Sequence, residues 1–145
     1  RIGVWGGSYG GYLTAMALAR ASGMFAAGVD VHGVHDWNNG IRNFVPSYDR
    51  AERAEVARRA FLASPMAFLD GWRSPVLLVH GDDDRNVAFS ESVELVEQLR
   101  ARKVHVEQLV FPDEVHGFLL HRNWVKAFTT AADFLDRHLM QGRRG

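Results

Sequence analysis

The sequence predicts an α/β fold in which about four parallel strands alternate with helices. Pro75-Val76-Leu77-Leu78-Val79-His80 is a continuous apolar run, the signature of a parallel strand covered on both faces. Segments of strand character alternate with segments of helical periodicity along the whole chain, which implies a parallel sheet joined by crossovers. Gly6-x-Ser8-x-Gly10 stands where the first strand should turn into the first helix. That is the nucleophile-elbow pattern, with glycines where a side chain would clash as strand and helix close together.

In chain order, residues 1–5 read as a short buried strand and residues 9–22 as a helix apolar nearly all round, a type normally covered on several sides. Gly23 is a helix stop, and Phe25–Val31 is a second buried strand of small residues. Residues 32–49 read as an irregular loop, long enough to suggest function. Residues 50–62 are rich in Ala, Arg and Glu and helical up to Ser64-Pro65, their charges forming a solvated face. The third strand leads into the polar loop Gly81 to Val87. Residues 89–102 form an amphipathic helix with Val93, Val96 and Leu99 on one side. Val104 to Phe111 is the fourth strand, and a last helix over about residues 121–140 carries the apolar stripe Trp124, Phe128, Ala131, Leu135 and Leu139. The tail Gln141 to Gly145 is expected to fray.

Bulk properties narrow the function classes. The 145 residues fit one domain, with an ordinary globular mixture of 47% hydrophobic and 23% charged residues. The formal net charge is zero, so no electrostatic footprint for nucleic acid or an anionic membrane is present. No apolar run is long enough to span a bilayer. The chain has no cysteine, which removes disulfides and thiolate metal sites and leaves the compartment undetermined. No His or carboxylate cluster has metal-ligand spacing in the sequence, so neither a metal nor a cofactor is expected.

Ligands of an open parallel sheet bind off the carboxyl ends of the strands. Read there, the sequence offers Ser8 after the first strand, Asp82, Asp83 and Asp84 after the third, and His116 after the fourth. A serine hydroxyl needs an adjacent base to act as a nucleophile. A histidine titrates near neutrality and can take and return the proton, and a carboxylate can hold its tautomer. Of seven histidines, His116 has the setting of a base, in a Gly-bounded turn after the last strand. His32 and His35 read as pocket lining, His80 as structural, His105 as a strand residue, and His121 and His138 as surface positions of the last helix. Among the acids, the residues alone leave Asp82, Asp83 and Asp84 open, with Asp113 and Glu114 as alternatives.

Three strings carry a resemblance: Gly6-Gly7-Ser8-Tyr9-Gly10-Gly11-Tyr12, His80-Gly81-x-x-Asp84-x-Asn86-Val87 and Phe111-Pro112-Asp113-Glu114-x-His116-Gly117-Phe118. Together they resemble the catalytic domain of the prolyl oligopeptidase family of serine peptidases, in particular its acylaminoacyl-peptidase and dipeptidyl-peptidase branches. The resemblance runs essentially from end to end. It implies Ser8 as nucleophile, His116 as base and Asp84 as acid, with the backbone N–H of Tyr9 as one oxyanion donor. It also implies Val34 and Trp37 at the S1 pocket, with Asn86 and Val87 beside them and Asn86 able to hydrogen-bond a substrate carbonyl. Trp37 reads nearly as well as a core aromatic anchoring its loop.

The resemblance further implies that residues 1–145 are part of an α/β-hydrolase domain. Of the family's about eight strands, the chain would supply the C-terminal four, without the earlier strands, the β-propeller or the tyrosine that gives the second oxyanion donor. The first strand would then present a bare edge. The expected partner, besides a peptide or acyl-peptide substrate, is a second chain or the N-terminal half of the domain covering that edge, two-fold pairing along the first strand being one way to do so. The function expected is a serine hydrolase cleaving peptide or acyl-peptide bonds through an acyl-enzyme. A carboxylesterase on the same groups and an inactive interaction or structural domain are the alternatives.

Overall fold

The computed structural model describes residues 1–140; the expected fraying of Gln141 to Gly145 falls outside the described residues. The elements are β1 (Ile2–Gly7), α1 (Tyr9–Ala21), β2 (Phe25–Val31), α2 (Trp37–Phe44), α3 (Ala54–Leu62), a 3-10 stretch (Pro65–Gly71), β3 (Val76–Gly81), α4 (Ser90–Ala101), β4 (Val106–Phe111) and α5 (His121–Leu139). The four strands form one sheet in the order β1-β2-β3-β4, and every adjacent pair is parallel. All carboxyl ends therefore point the same way, and the loops after β1, β3 and β4 meet at one rim.

Period-two alternation sorts the strand side chains between two cores. On one face Val76 and Leu78 of β3 pack with Ala15 and Leu18 of α1, Leu69 and Trp72 around the 3-10 stretch, and Leu95, Val96 and Leu99 of α4. On the other face Leu77 and Val79 meet Ala27, Val29 and Val31 of β2, Phe111, and Ala127, Ala131 and Phe134 of α5. Every residue of β3 is buried, as its unbroken apolar run requires of a strand enclosed on both faces.

Several expectations give way to the tertiary arrangement. The region 32–49 is not wholly irregular: it holds α2, started by Asp36, whose side chain accepts from Asn38 N–H. Asn, Gly and Phe are modest helix formers, so the cap and not the propensity marks this helix. The first strand is half exposed, not buried, with Ile2 and Trp5 open to solvent, because β1 pairs with β2 and forms the sheet edge. In α4 the buried seam is Leu95, Val96 and Leu99, whereas Val93 is exposed. In α5 the seam runs through Ala127, Ala131 and Phe134, and Phe128 is 53% exposed. Phe128 reaches past the sheet edge, where it stacks on Trp124 and meets Trp5. His105 stands one residue ahead of β4, although its carbonyl still accepts from Val76 N–H.

Candidate active site

The strand-to-helix turn places Ser8 at the rim. Ser8 has φ 58° and ψ −117°, a left-handed conformation that costs a non-glycine residue of order 1–3 kcal/mol. Its own N–H is tied to Val31 C=O at 2.9 Å, and its C=O accepts from Tyr12 N–H at 3.0 Å. Close approach explains the flanking glycines: a Cβ on Gly6 would run into the backbone of Gly10. One turn on, a Cβ on Gly11 would strike Gly33 and the Asp30 carboxylate. Tyr9 opens α1, so its N–H has no acceptor within the helix and lies next to the Ser8 side chain.

His116 Nε2 lies 2.8 Å from Ser8 Oγ, and its Nδ1 lies 2.7 Å from Asp84 Oδ2. A carboxylate only accepts, so Nδ1 carries the proton and Nε2 is left to accept from the serine hydroxyl. Asp84 is held from every side. Its Oδ1 accepts from the N–H groups of Asn86 and Val87, both at 2.9 Å. Its Oδ2 also meets His80 Nε2 at 3.1 Å. Burial alone would raise its pKa, but the hydrogen bonds from His116, His80, Val87 and Asn86 outweigh that and hold it well below the usual carboxylate range.

The neighbouring aspartates do other work. Asp82 is exposed and accepts from Asp113 N–H at 2.7 Å, joining the two loops. Asp83 is exposed and pairs with Arg85. Glu114 is buried and accepts from Leu119 N–H, Leu120 N–H and Asn123 Nδ2, which ties the His116 loop to the start of α5.

A cavity of about 220 Å³ opens beside Ser8, lined by Tyr9, Val34, Trp37, Gly40, Phe44, Asn86, Val87 and His116. Val34, Trp37, Asn86 and Val87 are thus brought together with Ser8 at one cavity. Trp37 also packs on Tyr12, ring centroids 5.2 Å apart, and on Tyr9 at 6.1 Å, so it anchors the loop and lines the cavity at once. Gly40 and Phe44 were not foreseen; the Asp36 cap would have been the signal that α2 brings them there.

His32 and His35 do not line this cavity. The ring of His35 points inward: Nδ1 donates to Glu91 C=O at 2.9 Å and Nε2 meets Asp30 Oδ2 at 2.6 Å. Both ring nitrogens thus face acceptors, the arrangement of an imidazolium paired with Asp30; burial lowers the pKa of His35, but Asp30 and Glu91 more than reverse this, and the net shift is upward. Glu91 in turn accepts from the N–H groups of His35 and Asp36. The loop carrying Val34 and Trp37 is pinned by this buried network. His32 lies against His116, with ring centroids 4.1 Å apart. His80, expected only as a structural residue, contacts the Asp84 carboxylate: both partners of Nε2, Asp84 Oδ2 and Val87 C=O, are acceptors, so Nε2 is protonated and Ser92 Oγ–H donates to Nδ1.

Among the described residues, two groups of side chains have ligand atoms within 4.8 Å of one another, His32 with Asp84 and His116, and His105 with Glu107 and His138. The first is engaged in the serine–histidine–aspartate array. In the second, both Glu107 oxygens accept from Arg137 at 2.8 Å, so the carboxylate is already neutralised.

A parallel sheet with a serine on a strained strand-to-helix turn, an acid after the third of its strands and a histidine after the last is an α/β-hydrolase arrangement. The chain matches the prolyl oligopeptidase family over residues 1–142 and belongs to it. It is 31% identical to dipeptidyl aminopeptidase BIII of Pseudoxanthomonas mexicana over 99% of this chain and 22% of that protein. It is 30% identical to dipeptidyl peptidase 4 of Bos taurus over 93% of this chain and 18% of that protein. The chain therefore spans about a fifth of the length of these relatives. Among solved structures, Porphyromonas gingivalis dipeptidyl peptidase 4 superposes with a TM-score of 0.81 at 29% identity, covering 96% of this chain and 20% of that one. Pyrococcus horikoshii acylaminoacyl peptidase shares the fold with a TM-score of 0.84 at 24% identity, covering 96% and 24%.

Proposed function

We propose that the protein is a serine peptidase that cleaves peptide or acyl-peptide bonds through an acyl-enzyme formed on Ser8. The single observation that carries this reading is the continuous contact from Ser8 Oγ to His116 Nε2 and from His116 Nδ1 to Asp84 Oδ2. Ser8 Oγ attacks the scissile carbonyl while His116 Nε2 takes its proton. Asp84 holds the tautomer and stabilises the imidazolium. The tetrahedral oxyanion receives the N–H of Tyr9. His116 then returns the proton to the leaving amine, and water, activated by the same imidazole, releases the acyl group.

The cavity beside Ser8 takes the side chain on the acyl side of the scissile bond. Val34, Trp37, Phe44 and Val87 make it apolar, and Asn86 sits where its amide can meet a substrate carbonyl. Membership of a family whose named relatives include dipeptidyl peptidases supports an amide substrate.

A fluorophosphonate probe tests the reading. The protein should be labelled, and Ser8→Ala should abolish labelling with the fold intact. Labelling that persists in Ser8→Ala would sink the nucleophile assignment. Hydrolysis of aminoacyl-anilides ahead of short acyl esters is expected; the reverse order would make the protein an esterase. A folded protein that takes no label would be a non-catalytic interaction domain.

A further inference from the structure

We propose that His32 is a positioning residue for this reaction, its neutral ring serving as the platform that keeps the His116 imidazole aligned between Ser8 and Asp84. The inference rests on the roles proposed above for Ser8, His116 and Asp84.

His32 is anomalous as a merely structural residue. It follows β2 with φ 44°, in the left-handed region that is uncommon for residues other than glycine. It is 7% exposed, and its Nδ1 is buried without a hydrogen-bond partner among the described residues. An apolar side chain would fill the same space without leaving a polar atom unpaired. What the ring does contact is His116, at a centroid distance of 4.1 Å and a tilt of 32°. Phe118 also meets His32 edge-on at 5.6 Å, so the platform is itself packed.

The mechanical need is specific. An imidazole bonds through its two nitrogens in the ring plane, and His116 makes one hydrogen bond at each. These bonds locate the ring along the line joining its nitrogens but do not oppose tipping about that line. Glu114 and Asp82 anchor the backbone of the His116 loop, but Gly117, which follows His116, is exposed and carries no side chain to back the imidazole. A flat ring against one face supplies that restraint. The platform must also stay uncharged while His116 becomes an imidazolium. The groups facing His32 are His116, Asp84, His80 and Asp30. Burial, then the proximity of His116, lower its pKa to about 4, Asp84 and Asp30 only partly opposing this. A neutral aromatic face beside a developing cation is attractive.

Two variants test the role. His32→Gly removes the ring and accepts the backbone conformation. His32→Phe keeps a flat ring. Peptide hydrolysis should show kcat reduced about 10–100-fold in His32→Gly with KM within about twofold, and restored to within about fivefold in His32→Phe. The low-field proton resonance of the His116–Asp84 hydrogen bond should broaden in the first and return in the second. Wild-type kcat with an unchanged resonance in a folded His32→Gly would overturn the proposal, as would a folded His32→Phe no better than His32→Gly. Should His32→Gly fail to fold, His32→Asn, which also tolerates this φ, takes its place in the comparison. If the wild-type protein takes no fluorophosphonate label, the peptidase reading fails. The resonance still decides whether His32 holds His116.

Discussion

Asp84 shares one oxygen, Oδ2, with His116 Nδ1 at 2.7 Å, while its other oxygen is held by the backbone of the residues that follow it. The carboxylate is thus fixed before it meets the imidazole. Replacing it by Asn leaves the shape but can present an N–H to His116 Nδ1, which favours the wrong tautomer. Asp84→Asn is expected to lower kcat by roughly 10⁴, with far-UV circular dichroism unchanged; steady-state hydrolysis of a peptide anilide measures it. The depressed pKa of Asp84 also has a sign for stability. Its contribution is full above the ordinary carboxylate value of about 4 and is lost only as pH falls below that. Asp84 should therefore add no slope to stability between pH 5 and pH 8.

The elbow depends on a contact no side chain can share. A Cβ at position 6 would overlap the Gly10 backbone, and neither β1 nor α1 can retreat without moving Ser8. Gly6→Ala is expected to destabilise the fold by about 2–4 kcal/mol and to abolish fluorophosphonate labelling. Urea titration and gel fluorescence read the two effects.

His35 and Asp30 form a buried pair whose charges meet far from the solvent. Removing one partner leaves the other uncompensated, so His35→Leu is expected to cost about 3–5 kcal/mol. The same change frees the loop that carries Val34 and Trp37, so KM should rise in whatever protein remains folded. Because the pKa of His35 is raised by Asp30, its contribution is complete below the ordinary histidine value and is lost as pH climbs through the raised one. A stability profile measured from pH 6 to pH 10 should fall on the alkaline side and flatten in His35→Leu.

His32 titrates in the opposite sense. Its pKa of about 4 lies below that of an unfolded histidine, about 6.5. The unfolded chain therefore binds the extra proton first, and stability should fall as pH drops from about 6.5 to about 4. His32→Phe should remove that part of the slope, which thermal melts across the window would record.

Substrate choice follows from the cavity lining, in which the residues named carry no formal charge other than what His116 gains in the reaction. A charged side chain placed there would lose its hydration without a partner. Substrates with an apolar residue before the scissile bond should be cleaved at least about tenfold better in kcat/KM than those with Asp or Lys there. Trp37→Ala should erode that preference while leaving labelling of Ser8 in place.

Much of this was legible in the chain. The serine, the histidine and the acid each stand at a strand end flanked by glycine or by turn residues, and an alternating α/β pattern puts strand ends on one rim. The three adjacent aspartates were not separable by spacing, since only the course of the loop decides that Asp84 turns inward while Asp82 and Asp83 stay in water. The roles of His32 and His35 were not legible either. Their rings leave the same short loop in different directions, one toward His116 and one toward Asp30. No periodicity encodes that divergence.

The sequence by itself determined the order of strands and helices, the elbow and the candidate groups, because period, glycine placement and turn chemistry act over a few residues. Only the tertiary structure decided which polar groups are buried together and which apolar ones remain exposed. Phe128 and Val93 look like core in their helices and are not, whereas the titratable Asp30, His35 and Glu91 lie buried together. Burial depends on what packs against each face, and a charged group is stable inside only where residues distant in the chain supply its partner.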